Sequence, residues 1–343
     1  MDQAVDPRLA LLNPWQHGFP LVPAPFAEIG ETLGLDEAAV IAGFARLQAE
    51  GALSRIGGVF GAQAGGAGLL AAMAVPDERL AEVAATVSAH PGVNHNYERE
   101  HRFNLWFVMT GRDATAVEQA MQGLEQATGL PALRLRMQRA YRIDLGFDLQ
   151  QRSAAARAGG REQRAAVPLH DAEWPLAALV EAGLPLRPRP YDDWARSLGC
   201  ATAEVLATLA RWLDQGTLRR FGVVVRHHEL GIRANAMTVF DVPDDQVDAA
   251  GAALAREGAV TLAYRRERAP GWPYNLYCMV HGHSRDDVQA ALQALVPRCG
   301  LAAVPQAVLF SRRRFKQVGA RRFRDGAATT LPAAAVEVPH VLA

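Results

Sequence analysis

Arg55-Ile56-Gly57-Gly58-Val59 returns 165 positions later as Arg220-Phe221-Gly222-Val223-Val224, and this recurrence decides how the rest of the chain is read. At the same shift Gly18-Phe19-Pro20-Leu21 falls on Gly183-Leu184-Pro185-Leu186, Pro25-Phe26 on Pro190-Tyr191 and Gly34 on Gly199. Further on, the shift is 167 for Tyr97, Arg99 and Glu100 on Tyr264, Arg266 and Glu267, and 171 for Asn104-Leu105 on Asn275-Leu276. The drift marks a four-residue insertion in the second copy, near Ala269 to Trp272. Order, spacing and turn residues kept in this way mean a duplicated unit. Two copies make no solenoid; they suggest an intramolecular pseudo-dimer.

Each copy reads as a helical module followed by an α/β module. Phe26 to Leu33 has helical spacing and stops at Gly34, and Asp36 caps a second helix from Glu37 to Glu50 with Val40, Ile41, Phe44 and Leu47 on one face. Ala52 to Phe60 then looks like a short hairpin, which completes a winged helix-turn-helix. Gly68 to Val75, His95 to Glu100, Asn104 to Thr110 and Ala132 to Arg142 read as strands, with helices at Glu78 to Ser88 and Ala114 to Ala127. That β-α-β-β-α-β order is ferredoxin-like.

The expected fold class is therefore α+β, a tandem duplication of a winged helix-turn-helix and a ferredoxin-like domain. The boundaries fall at 1–60 and 61–149 for the first copy, 150–168 for a polar, small-residue linker, 169–226 and 227–325 for the second copy, and 326–343 for a flexible tail. At 343 residues, 50% hydrophobic and 21% charged, the chain is ordinary globular material. Three cysteines without a C-x-x-C pair argue against a disulfide framework or a cysteine zinc site. Met1 to Leu12 carries Asp2 and Asp6 and lacks a secretory pattern, and no apolar run reaches the ~18 residues of a membrane span. A cytoplasmic protein without membrane contact is expected.

Lys plus Arg and Asp plus Glu both number 36, so the net charge is zero and a generally basic nucleic-acid binder is disfavoured. The second helix of the first module offers Asp36, Glu37 and Glu50 against Arg46 and Gln48, and its counterpart offers Glu204 and Asp214 against Arg211. Acidic helices repel phosphates, so DNA binding is not expected. The basic cluster Arg312-Arg313-Arg314-Phe315-Lys316, with Arg321, Arg322 and Arg324, is either a solvated strand and tail or a local anion site for a multiply carboxylated molecule.

The chemistry concentrates in Val93 to Phe107. Strand alternation places His95, Tyr97 and Arg99 on one face and Asn96 and Glu98 on the other. The second copy keeps Tyr264, Arg266 and Asn275 but has Leu262 where the histidine stands, so the two faces cannot do identical work. It has its own histidines, His227 and His228, where the first copy has none. His17, His90 and His101 read as structural or surface residues, and Trp106 and Phe107 as core.

Several segments together carry a resemblance: Leu11-Leu12-Asn13 with Gln16 and Gly18-Phe19-Pro20-Leu21, Arg55 to Val59, His95 to Glu100 and Asn104 to Phe107. The second copy adds Arg220-Phe221-Gly222, Arg226-His227 with Gly231, and Asn235-Ala236-Met237. With these, about residues 9 to 325 resemble the siroheme decarboxylases in their fused NirDL form, relatives of the Lrp/AsnC regulators. The resemblance implies removal of the acetate carboxyls on rings C and D of siroheme, giving 12,18-didecarboxysiroheme, in heme d1 biosynthesis or an alternative heme route. It implies no added cofactor and no metal site, because iron enters with the substrate. His95 and His227 would be the catalytic groups, as acid or facing the iron. Arg99 and Arg266, with Arg55 or Arg220, would clamp carboxylates, and Tyr97, Tyr264, Asn104 and Asn275 would contact the substrate. One working pocket is expected per chain, between the halves or across a homodimer. A ligand-sensing regulator of the same fold is the alternative, and a tetrapyrrole-binding chaperone the third.

Overall fold

A left-handed glycine and a capping aspartate set the first helical segment. The computed structural model describes residues 7–61, 63–143, 166–225 and 234–323. After α1 (Pro7–Leu12), α2 (Pro25–Leu33) is closed by Gly34 at φ 67°. Asp36 then starts α3 (Glu37–Ala49), its carboxylate accepting from the Ala39 amide at 2.6 Å. Phe26, Ile29, Val40, Phe44 and Leu47 are buried between these helices. The second copy repeats the plan in α6 (Trp174–Ala182), α7 (Pro190–Leu198) and α8 (Thr202–Asp214), with Gly199 left-handed after α7. Among the described residues no helix is long and apolar enough to cross a membrane.

The hairpin expected after each helical pair does not form. β1 (Leu53–Phe60) is one continuous strand, and it pairs antiparallel with β6 (Leu218–Val225) of the other copy, Gly57 opposite Gly222. A tight hairpin turn needs positive φ, and neither Gly57, Gly58 nor Gly222 has it. These glycines serve close approach instead: a Cβ on Gly57 would stand 2.6 Å from the Val180 carbonyl oxygen, and one on Gly222 2.3 Å from that of Trp15.

The chain divides into two compact units, one from Met1–Gly65 and Gly146–Gly231 and the other from Gly66–Leu145 and Ile232–Ala343. Each therefore draws on both copies, the helical segments in the first unit and the strand-rich segments in the second. The expected linker, apart from residues 166–168, and the expected tail lie outside the described residues.

In the second unit the first copy supplies β2 (Ala67–Met73), α4 (Leu80–Ala89), β3 (Val93–Arg99), β4 (Leu105–Gly111), α5 (Ala114–Thr128) and β5 (Ala132–Ile143). The second copy supplies β7 (Ala234–Phe240), α9 (Val247–Arg256), β8 (Val260–Arg266), β9 (Leu276–Gly282), α10 (Arg285–Arg298) and β10 (Gln306–Gln317). The eight strands close into a barrel in the order β10-β3-β4-β2-β5-β8-β9-β7. Closure depends on the two long strands. Ala132 to Arg136 of β5 pairs with β2 of its own copy and Met137 to Ile143 with β8 of the other. Gln306 to Phe310 of β10 likewise pairs with β7, and Ser311 to Gln317 crosses to β3. The barrel itself has no open edge, which removes a route to aggregation there.

Strand alternation then divides the side chains. Leu105, Phe107 and Met109 pack under the helices with Val83, Val87, Val117 and Met121, and Leu276, Cys278 and Val280 pack with Leu254, Val288 and Leu292. The alternate residues Trp106, Leu135, Met237, Val239, Tyr277 and Leu309 face inward and form a core shared by both copies.

Candidate active site

β3 presents its polar residues to that interior. On its outer face Asn96 donates from Nδ2 to the Ala84 carbonyl at 3.1 Å and to Ser88 Oγ at 3.0 Å, both on α4. His95, Tyr97 and Arg99 alternate with it, and Tyr97 lies opposite Trp106 on β4. The expected shared face therefore exists. The His95 and Tyr97 rings stack with centroids 6.4 Å apart, and the Arg99 guanidinium carbon lies 5.6 Å from the Tyr97 ring centre. His95 Nδ1 is 2.8 Å from Asn94 Oδ1. An amide oxygen only accepts, so in this contact Nδ1 is the donor. Burial pushes the Tyr97 phenol up against the opposing charges of Arg314 and Arg99, so it stays a donor.

Arg99 is 7% exposed, and its Nη1 donates to the Leu309 carbonyl at 3.0 Å and, more weakly, to Asn235 Oδ1 at 3.4 Å. Ser311 Oγ donates to the same Asn235 oxygen at 2.8 Å. Arg266 repeats the arrangement in the second copy, donating from Nη1 to the Leu135 carbonyl at 3.0 Å and lying over the rings of Tyr264 and Tyr277. Its Nε is buried without an acceptor. Burial lowers both guanidinium pKa values, that of Arg99 to about 10, and among the described residues no carboxylate acts on either. A cation withdrawn from water without a counter-ion is costly; Arg99 is buried and Arg266 half-buried, both on the inner face of the barrel.

The two halves differ in what faces these arginines. Along β3 and β10, Arg99 is opposite Ser311, Tyr97 opposite Arg314 and His95 opposite Gln317. Along β8 and β5 the corresponding pairs are Arg266 with Met137, Tyr264 with Ala140 and Leu262 with Ile143. One half is polar and charged, the other largely apolar. Sequence reasoning missed Ser311, Arg314 and Gln317 as a set because register shifts on either side of Arg313-Arg314 turn every third residue inward.

Other expected site residues are engaged elsewhere. Asn104 accepts from the Val75 amide at 2.9 Å and donates to the Val75 carbonyl at 2.8 Å, and Asn275 makes the same clip with Val242 at 3.0 and 2.9 Å. These amides fix the strand ends. Arg55 and Arg220 belong to the helical unit, where they donate to the carbonyls of Gly58 at 3.2 Å and of Val223 and Gln16 at 3.0 Å. Their guanidiniums brace the β1–β6 sheet. His227 and His228 lie outside the described residues. The basic cluster splits: Arg312 and Arg313 approach Glu98 on the outer face, while Lys316 donates to the carbonyls of Ser88 and His90. Only Arg314 of that run is opposite Tyr97. The insertion delivers Trp272 into the shared core, 5.0 Å from Trp106 between ring centres, with its indole N–H donating to the Tyr277 hydroxyl at 2.6 Å. Among the described residues no group of three histidine, cysteine or acidic side chains is placed to hold a metal.

Comparison with known proteins agrees with this division. The profile of the AsnC-like ligand binding domain matches residues 63–142 and 229–316, and that of the siroheme decarboxylase NirDL-like HTH domain matches 9–53 and 176–219. The siroheme decarboxylase NirDL subunit of Paracoccus denitrificans is 42% identical over 314 residues, covering 91% of this chain and 96% of that protein. The siroheme decarboxylase NirD subunit of Stutzerimonas stutzeri is 50% identical over 139 residues, 40% of this chain and 91% of that subunit. A crystal structure of NirDL in complex with an iron-uroporphyrin III analogue superposes with a TM-score of 0.66 at 28% identity, covering 92% of this chain and 94% of that one. The chain belongs to the siroheme decarboxylase family, in its fused NirDL-like form.

Proposed function

We propose that this chain is a non-oxidative carboxy-lyase that removes the acetate carboxyls on rings C and D of siroheme, giving 12,18-didecarboxysiroheme on the way to heme d1. The observation that carries the reading is the pair of inward-facing guanidiniums on which no described carboxylate acts, Arg99 buried beside an imidazole and a phenol and Arg266 half-buried. Arg99 and Arg266 hold substrate carboxylates. Loss of each carbon dioxide breaks the bond between the methylene and carboxyl carbons, and its electron pair passes into the conjugated macrocycle. One proton must then reach the methylene carbon to make the methyl group. His95 Nε2 is the donor on this reading, with Tyr97 steering the ring, and His227 is the second candidate acid. Iron arrives within the substrate, and no further cofactor is required.

On the same reading, the helical segments are winged helix-turn-helix modules whose wings have joined, and the strand-rich segments are ferredoxin-like domains. The chain is then a pseudo-dimer that replaces two separate subunits, working in the cytoplasm. Anaerobic incubation with siroheme followed by mass spectrometry tests the proposal. Loss of two carbon dioxide units is expected; siroheme bound tightly but recovered unchanged would make the protein a tetrapyrrole carrier.

A further inference from the structure

We propose that Arg314, supplied by the second copy, is a carboxylate-binding residue of the His95 site. This rests on reading the His95 face as the substrate site.

Arg314 stands directly opposite Tyr97 in the β10–β3 register. Facing residues of an antiparallel pair have Cβ atoms about 4.5–5.5 Å apart, so its side chain shares the inner face with the phenol, and its charge acts on Tyr97. Arg99 lies two residues along the same strand, about 7 Å away. The rings of His95 and Tyr97 thus have one guanidinium across from them and another beyond Tyr97. Arg314 Nη1 donates to Gln317 Oε1 at 3.2 Å, and Gln317 is itself opposite His95. The amide orients the fork.

A rigid macrocycle with several carboxylates around its rim can place two of them on two such forks and a third at the imidazole. A planar guanidinium matches a carboxylate in two-pronged fashion, as an ammonium does not. The other half of the barrel provides the contrast: Tyr264 faces Ala140, and Leu262 faces Ile143. Among the described residues, that half keeps one arginine and one tyrosine and has no counterpart of Arg314 or His95 at these positions.

The test uses the full chain and four variants: Arg314→Gln, Arg314→Lys, Arg312→Gln and His95→Ala. Binding is followed by absorbance titration with iron-uroporphyrin III, and turnover with siroheme. Arg314→Gln should raise KM and weaken iron-uroporphyrin binding about 10- to 100-fold, the range for losing one charge-assisted hydrogen-bonded pair, with kcat little changed. Arg314→Lys should recover part of the binding. Arg312→Gln, on the outer face, should match the parent. If Arg314→Gln does not fold, Arg314→Met keeps the packed stem and carries the same expectation. Parental binding and KM in a folded Arg314→Gln or Arg314→Met, alongside His95→Ala that has lost turnover, overturn the role of Arg314 and leave the site in place. Parental turnover in His95→Ala overturns the site itself.

Discussion

Replacing Arg99 with methionine should separate the needs of the substrate from the needs of the fold. A tenfold change in proton affinity is about 1.4 kcal/mol. A guanidinium lowered from 12.5 to about 10 is therefore held charged at a cost of about 3 kcal/mol in the unliganded barrel. Arg99→Met removes that cost together with the bond to the Leu309 carbonyl and the longer one to Asn235, about 1–3 kcal/mol of favourable interaction. Asn235 keeps its bond from Ser311. The two changes nearly cancel, and the unliganded melting temperature should move by only a few degrees. Ligand response should differ sharply. At a concentration 100 times Kd a ligand stabilises its protein by about 2.7 kcal/mol, so iron-uroporphyrin should raise the melting temperature of the parent by several degrees. If the lost fork weakens binding about 100-fold, the same concentration stabilises the variant by about 0.4 kcal/mol. Calorimetry with and without iron-uroporphyrin reads both quantities. A variant destabilised by more than about 4 kcal/mol while keeping the full ligand shift would make Arg99 a strut and refute the argument.

Removal of the acid should spare binding: His95→Ala is expected to lower kcat about 100- to 10,000-fold with the Kd for iron-uroporphyrin within a few-fold of the parent, and His227→Ala should behave likewise, both read by single-turnover mass spectrometry. Trp272→Ala should cost about 3–5 kcal/mol, measured by denaturant unfolding, because the indole is 1% exposed and meets Trp106 and Tyr277 in the shared core. Lys316 should give a pH-dependent contribution. Burial lowers its pKa from 10.5 to about 8, so between those values the unfolded chain binds a proton that the folded chain does not. Stability relative to Lys316→Met should therefore rise as pH climbs from about 8 toward 10, and a flat difference across that window would show that burial does not depress the ammonium.

Local signals were legible in the sequence. The Asp36 cap, the Gly34 stop and the shared face of His95, Tyr97 and Arg99 all follow from rules that reach a few residues along the chain. Pairing between copies does not obey such rules. Ala52 to Phe60 read as a hairpin, whereas Gly57 and Gly222 let the paired strands β1 and β6 lie against Val180 and Trp15. Asn104 and Asn275 looked like site residues because they are polar and repeated; they are repeated because each copy needs the same clip on Val75 or Val242. Simple alternation along β10 would group Ser311 with Arg313 and Phe315, and only the register shifts bring Ser311, Arg314 and Gln317 to face Arg99, Tyr97 and His95.

Those same pairings show what fusing two copies accomplishes. In a symmetric homodimer every contact is made twice, and the reach of Arg99 to Leu309 and of Arg266 to Leu135 still has that form. A symmetric barrel built on the polar half would hold two copies of Arg314 as well as the two buried arginines, and each added charge raises the cost of keeping the others out of water. With both copies in one chain, the second half has instead Leu262, Met137, Ala140 and Ile143 at the positions of His95, Ser311, Arg314 and Gln317. Apolar burial there stabilises the barrel and offsets the cost of the charged half. One end thus carries His95 and two guanidiniums, Arg99 and Arg314, where the other has Leu262, Arg266 and Ala140.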